Sequence, residues 1–127
     1  MTKLIPENFD FAVSFPLSVE FCEPESARVI VPVDLKGSNE SSQIAINFQT
    51  VAEVRCISAN YFELNYKNFE ISEGDGWGFY RVAESPWLKN VEQDYDPKHR
   101  LGLIHFLIAG TYSYVEILAA GYDLSYL

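Results

Sequence analysis

Histidine is the side chain best suited to acid–base chemistry near neutral pH, and the 127-residue sequence contains two. His105 lies on a predicted strand face among leucines, and Glu116 lies on the next predicted strand. A general base beside a carboxylate needs a polar pocket, which the apolar surroundings do not predict. We expect a packed or hydrogen-bonded core histidine, and a pocket near His105 and Glu116 is the alternative. His99 falls in a short charged connection, where solvent exposure is expected.

The two cysteines are the other candidates for chemistry. Cys22 and Cys56 lie far apart without a CxxC spacing, and the start of the sequence lacks the pattern of a signal peptide. We predict two reduced core thiols, with a Cys22–Cys56 disulfide as the alternative. A nucleophilic pair of Cys56 and His105 is a further alternative, although thiols in a core are usually inert.

The sequence predicts neither a metal site nor a cofactor. Two histidines and two cysteines lack the spacing of zinc ligands. Gly-rich phosphate loops, GxSxG and HExxH are all missing from the sequence. The segment 94–100 lacks the ligand spacing of a calcium loop. These observations favour a non-catalytic domain over an enzyme.

The balance of charge bears on the kind of partner. Eighteen acidic residues against nine basic ones give a formal net charge of −9. Such a field repels nucleic acid and anionic membrane surfaces, so we predict binding to neither, and it attracts basic proteins. Solubility alone also explains an acidic composition. Two groups of carboxylates are candidates for an acidic face: Glu20, Glu23 and Glu25, and Glu84, Glu92, Asp94 and Asp96.

Aromatic residues make up 15% of the sequence. Most lie on alternate positions and are expected in the core, but four lie near the ends of predicted elements, where aromatic rings often anchor interfaces. One such interface is a homodimer made by pairing edge strands. The candidate partner-binding residues are Trp77, Trp87, Glu92, Asp94, Asp96, Tyr122 and Tyr126.

Alternation of apolar and polar residues predicts strands through most of the first half. The segment 9–21 alternates but contains Pro16, which predicts either an edge strand or two shorter strands joined by a bend. The segments 27–35 and 44–48 alternate as well. Between Val51 and Tyr66 both helical and strand spacings occur, and the β-branched and aromatic content favours strands. A short strand is predicted over 68–72.

The second half predicts one helix between strands. A strand over 77–82 precedes Ser85 and Pro86, which suit the cap and first position of a helix, and we predict this helix over Pro86–Tyr95. Strands follow over 101–109 and 112–120, and an apolar tail over 121–127 docks on the body or awaits a partner.

These elements predict a single domain of the α+β class, with a mainly antiparallel sheet of about six strands, curled or sandwiched, and one short helix packed on it. No apolar run approaches the roughly 20 residues that span a bilayer. We therefore expect a cytoplasmic protein.

Three motifs of the C-terminal third carry a resemblance: Gly76–Leu88 (GWGFYRVAESPWL), His105–Ile108 and Tyr114–Ala119. Together they resemble a class of small uncharacterised bacterial proteins, some of which look like immunity proteins of toxin systems. The motifs are structural and bring no catalytic residue. The resemblance and the acidic charge lead us to expect a protein-binding domain, of immunity or antitoxin type, with a basic partner; a small enzyme or ligand-binding domain is the alternative.

Overall fold

The computed structural model describes residues 2–7, 11–13, 17–22, 26–35, 41–58, 69–71, 78–110 and 113–127. The strands are β1 Thr2–Pro6, β2 Phe11–Val13, β3 Ser18–Cys22, β4 Ser26–Leu35, β5 Ser41–Gln49, β6 Glu53–Ser58, β7 Phe69–Ile71, β8 Phe79–Val82, β9 Ile104–Ala109, β10 Ser113–Ala119 and β11 Gly121–Tyr126. The described helix, α1, spans Pro86–Tyr95 between β8 and β9, as predicted.

The strands form two sheets. Sheet 1 has the order β6-β10-β9-β8-β1-β7, and its neighbours run antiparallel except for the parallel pair of β1 and β7. Sheet 2 has the order β11-β5-β4-β2, and β3 pairs with the same strand, β4, as β2 does. The predicted antiparallel character is confirmed.

The prediction of about six strands is wrong, because the described residues form one sheet of six strands and a second of five. Strand β1 was not predicted, since its five residues show no clear alternation. Strands that alternate need a second apolar surface to cover their buried face, and here a second sheet supplies it.

The main core lies between the sheets. Side chains of both sheets share one buried cluster, in which the ring of Phe48 from β5 lies 6.1 Å from that of Phe79 and 5.3 Å from that of Phe106. The alternate residues Val29, Val31 and Val33 line the same cluster from β4. This shared core shows that the sheets pack face to face.

A second, smaller cluster lies on the other face of sheet 1. It contains Leu4, Tyr80, Val82 and Leu107. His105 lies two residues before Leu107 on β9, and so on the same face. The first turn of α1 contacts His105, which places the start of the helix over this outer face of sheet 1.

Strands β2 and β3 agree with the second interpretation of the proline-containing segment. Both pair with β4, so the alternating segment forms two short strands at one edge of sheet 2. Pro16 itself lies outside the described residues.

The cysteine prediction is corrected in one respect. Cys22 and Cys56 are free thiols, as expected, but both are exposed. Cys22 is opposite Ser26 and shares the polar outer face of sheet 2 with Glu20 and Arg28, whereas Cys56 lies on β6, the edge strand of sheet 1. An edge strand is covered from one side only, so alternation there does not ensure burial.

Predictions for the segment 51–66, the short strand over 68–72 and the C-terminal tail can be compared with the structure. The segment 51–66 contains the strand β6, as favoured, and its part from 59 to 66 lies outside the described residues. The short strand predicted over 68–72 is observed as β7. The apolar tail docks as β11 on β5. The described helix α1 falls short of the length and apolar content that a membrane crossing requires.

Candidate functional site

Three polar side chains meet beneath the start of α1. Ser85 Oγ lies 2.7 Å from His105 Nδ1, and His105 Nε2 lies 2.7 Å from Glu116 Oε1. The register of β9 and β10 pairs His105 with Leu118, so Glu116 lies two residues along the same face of the neighbouring strand. We call Ser85, His105 and Glu116 the buried array.

One assignment of donors and acceptors satisfies the hydrogen bonds of the buried array. Ser85 is the N-cap of α1, and its Oγ accepts the N–H of Leu88 at 3.1 Å. The same hydroxyl can donate its hydrogen to His105 Nδ1, and His105 Nε2–H then donates to Glu116. The array therefore connects the helix cap to the centre of sheet 1.

The buried array contains the residue types of a hydrolytic triad in a different arrangement. In such triads the serine bonds to Nε2 of the histidine and the carboxylate to Nδ1, whereas the two contacts are exchanged here. The exposed fractions of Ser85, His105 and Glu116 are 3%, 4% and 1%. A substrate has no open approach to Ser85, so the geometry fits a structural role.

Trp87 covers the buried array from the helix side. Its ring meets the ring of His105 edge-on, with the centroids 4.9 Å apart. The guanidinium of Arg55 lies 3.8 Å from the centroid of the Trp87 ring and also forms an ion pair with Glu53 at 3.2 Å. Arg55, on β6, lies directly opposite Glu116 on β10. Trp87, a predicted partner-binding residue, is thus half-buried within the molecule.

Two buried atoms around the array have no hydrogen-bond partner among the described residues: Trp87 Nε1 and Glu116 Oε2. Among the described residues, His105 is the hydrogen-bond partner of the Glu116 carboxylate. An unpaired buried charge costs far more than an unpaired exposed one, so the stability of this region depends strongly on the contact between Glu116 and His105.

A second polar cluster connects the two sheets. Arg81 donates to both carboxylate oxygens of Glu7, at 2.7 and 3.4 Å, and the hydroxyl of Tyr122 on β11 donates to Glu7 at 2.9 Å. Burial raises the pKa of Tyr122 well above its usual range, and the bond to Glu7 raises it further. Bonding to Glu7 also raises the pKa of Arg81.

Tyr122 was predicted as a partner-binding residue, and the structure uses its ring and its hydroxyl internally. The ring lies 4.8 Å from that of Phe79 and 5.5 Å from that of Phe106. Glu7 and Arg81 were not predicted, because no periodic pattern distinguishes a charged pair at the end of a sandwich.

The predicted acidic residues at the end of α1 have different roles. Asp96 is buried, and its carboxylate accepts the N–H groups of Arg100 and Leu101 at 2.9 and 3.0 Å. Glu92 lies 2.9 Å from His99 Nδ1, and this hydrogen bond raises the pKa of His99. Asp94 is exposed.

A groove of about 350 Å³ lies beside these residues. Its lining consists of Lys89, Glu92, Gln93, Pro97 and His99. One acidic side chain, Glu92, therefore lies here beside two basic ones, Lys89 and His99.

The exposed aromatic ring of Phe21 on β3 was missed by the sequence analysis. Its alternation predicted a core position, yet 59% of its surface is exposed. Its neighbour Glu20 is half-exposed and forms an ion pair with Arg28 at 3.1 Å. An adjoining cavity of about 350 Å³ has the lining Glu20, Cys22, Ser26, Ala27, Arg28, Asn47 and Phe48. The signal for exposure was the position of Phe21 just before a polar turn at the end of a proline-containing segment.

Strand β11 exposes a second group of apolar side chains. Tyr126 is 73% exposed, Leu127 57% and Leu124 39%. Tyr126 was a predicted interface residue, and its ring contacts that of Phe11 at 6.1 Å. The last predicted interface residue, Trp77, lies outside the described residues.

Within the described part of the chain, no cluster of three or more histidine, cysteine, aspartate or glutamate side chains could hold a metal ion. Comparisons of the chain with protein family models, with curated proteins and with solved structures gave no match.

Proposed function

We propose that this chain is a non-catalytic protein-binding domain whose partner is a basic protein. The observation that carries the proposal is the exposed ring of Phe21 on the edge strand β3. The next residue back, the half-exposed Glu20, lines a cavity on the opposite face of this strand. An exposed aromatic side chain is typical of the anchor of a protein interface. We call Phe21, Glu20 and the lining of this cavity the β3 surface.

The internal ion pairs support a basic partner. Arg28, Arg55 and Arg81 each contact an acidic side chain within this chain, at 3.1, 3.2 and 2.7 Å. Each of these three pairs is neutral overall, so the formal net charge of −9 comes from the other charged side chains and acts at longer range. A negative field of this kind steers basic partners and accelerates their association.

The ion pair of Glu20 and Arg28 leaves room for an incoming cation. The two side chains are 50% and 40% exposed, and an exposed pair of this type contributes only about 0–1 kcal/mol. A lysine or arginine of the partner can therefore share or replace Arg28 at little cost. In sequence, the carboxylates of Glu23 and Glu25 follow directly and add to the attraction.

More specifically, we propose that the chain is an immunity or antitoxin-like domain that binds a basic protein. Its small size and acidic charge support this form. Recognition here needs only a rigid surface, which a two-sheet sandwich with a shared aromatic core provides.

The test compares two exposed aromatic residues in a pull-down from the native host. Wild-type protein should capture a basic protein, and Phe21→Ser should lose most of the captured amount. Tyr95→Ser is the matched control, since Tyr95 is a half-exposed ring on α1, and this variant should capture as much as wild type. Capture should fall as salt rises. Recovery of no basic protein at low salt, or equal loss with both variants, contradicts the proposal.

A small enzyme or ligand-binding domain is the second candidate, because Ser85, His105 and Glu116 are the residue types of a hydrolytic triad and are hydrogen-bonded to one another. A serine-directed phosphonate probe tests it, because a nucleophilic Ser85 would be labelled and His105→Ala would abolish the labelling. Absence of labelling in the folded protein would remove a serine-nucleophile enzyme.

A further inference from the structure

Strand β11 lies at the end of sheet 2, and on its outer side no other strand pairs with it among the described residues. From its sequence and register we infer that the outer edge of β11 pairs with β11 of a second copy of this chain, in antiparallel orientation about a two-fold axis at Leu124. This pairing is independent of the proposed basic partner.

The backbone orientation identifies the groups available at this edge. The N–H of Leu127 donates to Gln43 of β5 at 3.2 Å, and the same register continues through the strand. In an antiparallel ladder successive residues alternate in the side to which their N–H and C=O groups point. The groups of Tyr122, Leu124 and Tyr126 therefore point away from β5.

These three residues are spaced so that β11 is complementary to itself. With the axis at Leu124, each outward-pointing residue meets another: Leu124 faces its own copy, and Tyr122 faces Tyr126. Each such pair forms two N–H···O=C bonds. The register covers residues 121–127 of both copies.

Charge excludes the neighbouring register. An axis at Asp123 would place two carboxylates in a closely spaced pair, which is destabilising. The register about Leu124 instead places Asp123 opposite Ser125. The carboxylate of Asp123 accepts hydrogen bonds from Asn47 at 3.0 Å and Gln49 at 2.9 Å and in this register lies opposite a neutral residue.

The apolar side chains gain most from this pairing. Leu124 and Tyr126 lie on the face that carries Ile46 and Ile44 on β5, and both are exposed in the single chain. Two-fold pairing brings Leu124 against its own copy and Tyr126 against Tyr122 of the second chain. Cross-strand pairs of aromatic and aliphatic side chains stabilise sheets.

The salt dependence of this contact is opposite to that of a basic partner. Each copy carries −9, so two copies repel each other at long range. Added salt screens this repulsion and strengthens the dimer, whereas it weakens binding to a cation. The direction of the salt effect therefore distinguishes self-association from the proposed function.

The experiment is sedimentation velocity on the full chain with paired charge variants. Wild type should form a dimer that tightens between about 0.05 and about 0.5 M NaCl. Leu124→Lys and Leu124→Glu should each be monomeric, because each places like charges on the axis. A one-to-one mixture of the two should regain the dimer, since Lys then faces Glu.

The control is Tyr95→Lys, which changes an exposed ring on α1 and should leave the dimer intact. Circular dichroism of each variant separates lost pairing from lost folding. A monomeric wild type at high salt and high concentration overturns the inference, and so does a dimer that survives in Leu124→Lys. Failure of the mixture to dimerise, with both variants folded, overturns the axis at Leu124.

Discussion

Replacing His105 by leucine should destabilise the protein strongly, and replacing Glu116 as well should restore much of the loss. Glu116 is 1% exposed, and within the described part of the chain its carboxylate has one hydrogen bond, at 2.7 Å, to His105. His105→Leu leaves a buried carboxylate without a partner, at a cost of about 3–5 kcal/mol. Against a typical stability of about 5–15 kcal/mol, this loss is large.

The other arms of the cycle follow from the same contacts. Glu116→Leu leaves the buried Nε2 of His105 unpaired, which should cost about 1–3 kcal/mol. The double variant removes both polar groups and should cost only about 1–2 kcal/mol, because Ser85 keeps its bond to the N–H of Leu88. The two single losses together then exceed the loss of the double variant by a coupling energy of about 4–5 kcal/mol.

Urea unfolding followed by tryptophan fluorescence measures all four proteins, since Trp87 lies against His105. Additive losses, with the double variant as unstable as the sum of the singles, would refute the reasoning. They would mean that Glu116 and His105 do not depend on each other in the folded chain.

Three further predictions concern single side chains. Tyr122→Phe should flatten the fall in stability above about pH 10. Burial raises the pKa of Tyr122 from its ordinary 10.0, so its contribution to stability is present below that pH and is lost as pH rises through the folded pKa. Urea unfolding of both proteins across alkaline pH checks this. Glu92→Gln should lower the pKa of His99 toward 6.5, and an unchanged NMR titration of His99 would contradict the assigned contact. Asp96→Ala should cost about 2–4 kcal/mol in urea unfolding, because two backbone N–H groups lose a carboxylate, and Asp96→Asn should cost less.

Local patterns of the sequence predicted individual elements well. Ser85 and Pro86 identified the start of α1, because the cap and the first helical position impose requirements that few residues meet. The hairpin of β9 and β10 followed from two apolar runs, and it occupies the interior of sheet 1. His105 and Glu116 were predicted as neighbours for the same reason.

The division into two sheets could not be predicted from these patterns. Alternation shows that one face of a strand is buried, and it does not show which strand or sheet covers that face. The parallel pairing of β1 with β7 joins residues 2–4 to 69–71, and such distant pairing leaves no local signal.

The prediction that Phe21 and Cys56 are buried was wrong for a related reason. Phe21 and Cys56 alternate correctly on their strands, yet both strands lie at sheet edges. Position within a sheet, which the sequence does not state, decides whether an alternating residue is covered. The role of Ser85 as a partner of His105 depends equally on how α1 packs on sheet 1.

The central claim is that the partner binds at the β3 surface and that the buried array only stabilises the fold. Measuring the affinity of variants for the captured basic protein tests this claim most directly. We expect the folded double variant His105→Leu/Glu116→Leu to bind that partner as tightly as wild type, and Phe21→Ser to bind at least about tenfold more weakly, a loss of about 1.4 kcal/mol. Loss of binding in the folded double variant, together with unchanged binding by Phe21→Ser, would contradict the account.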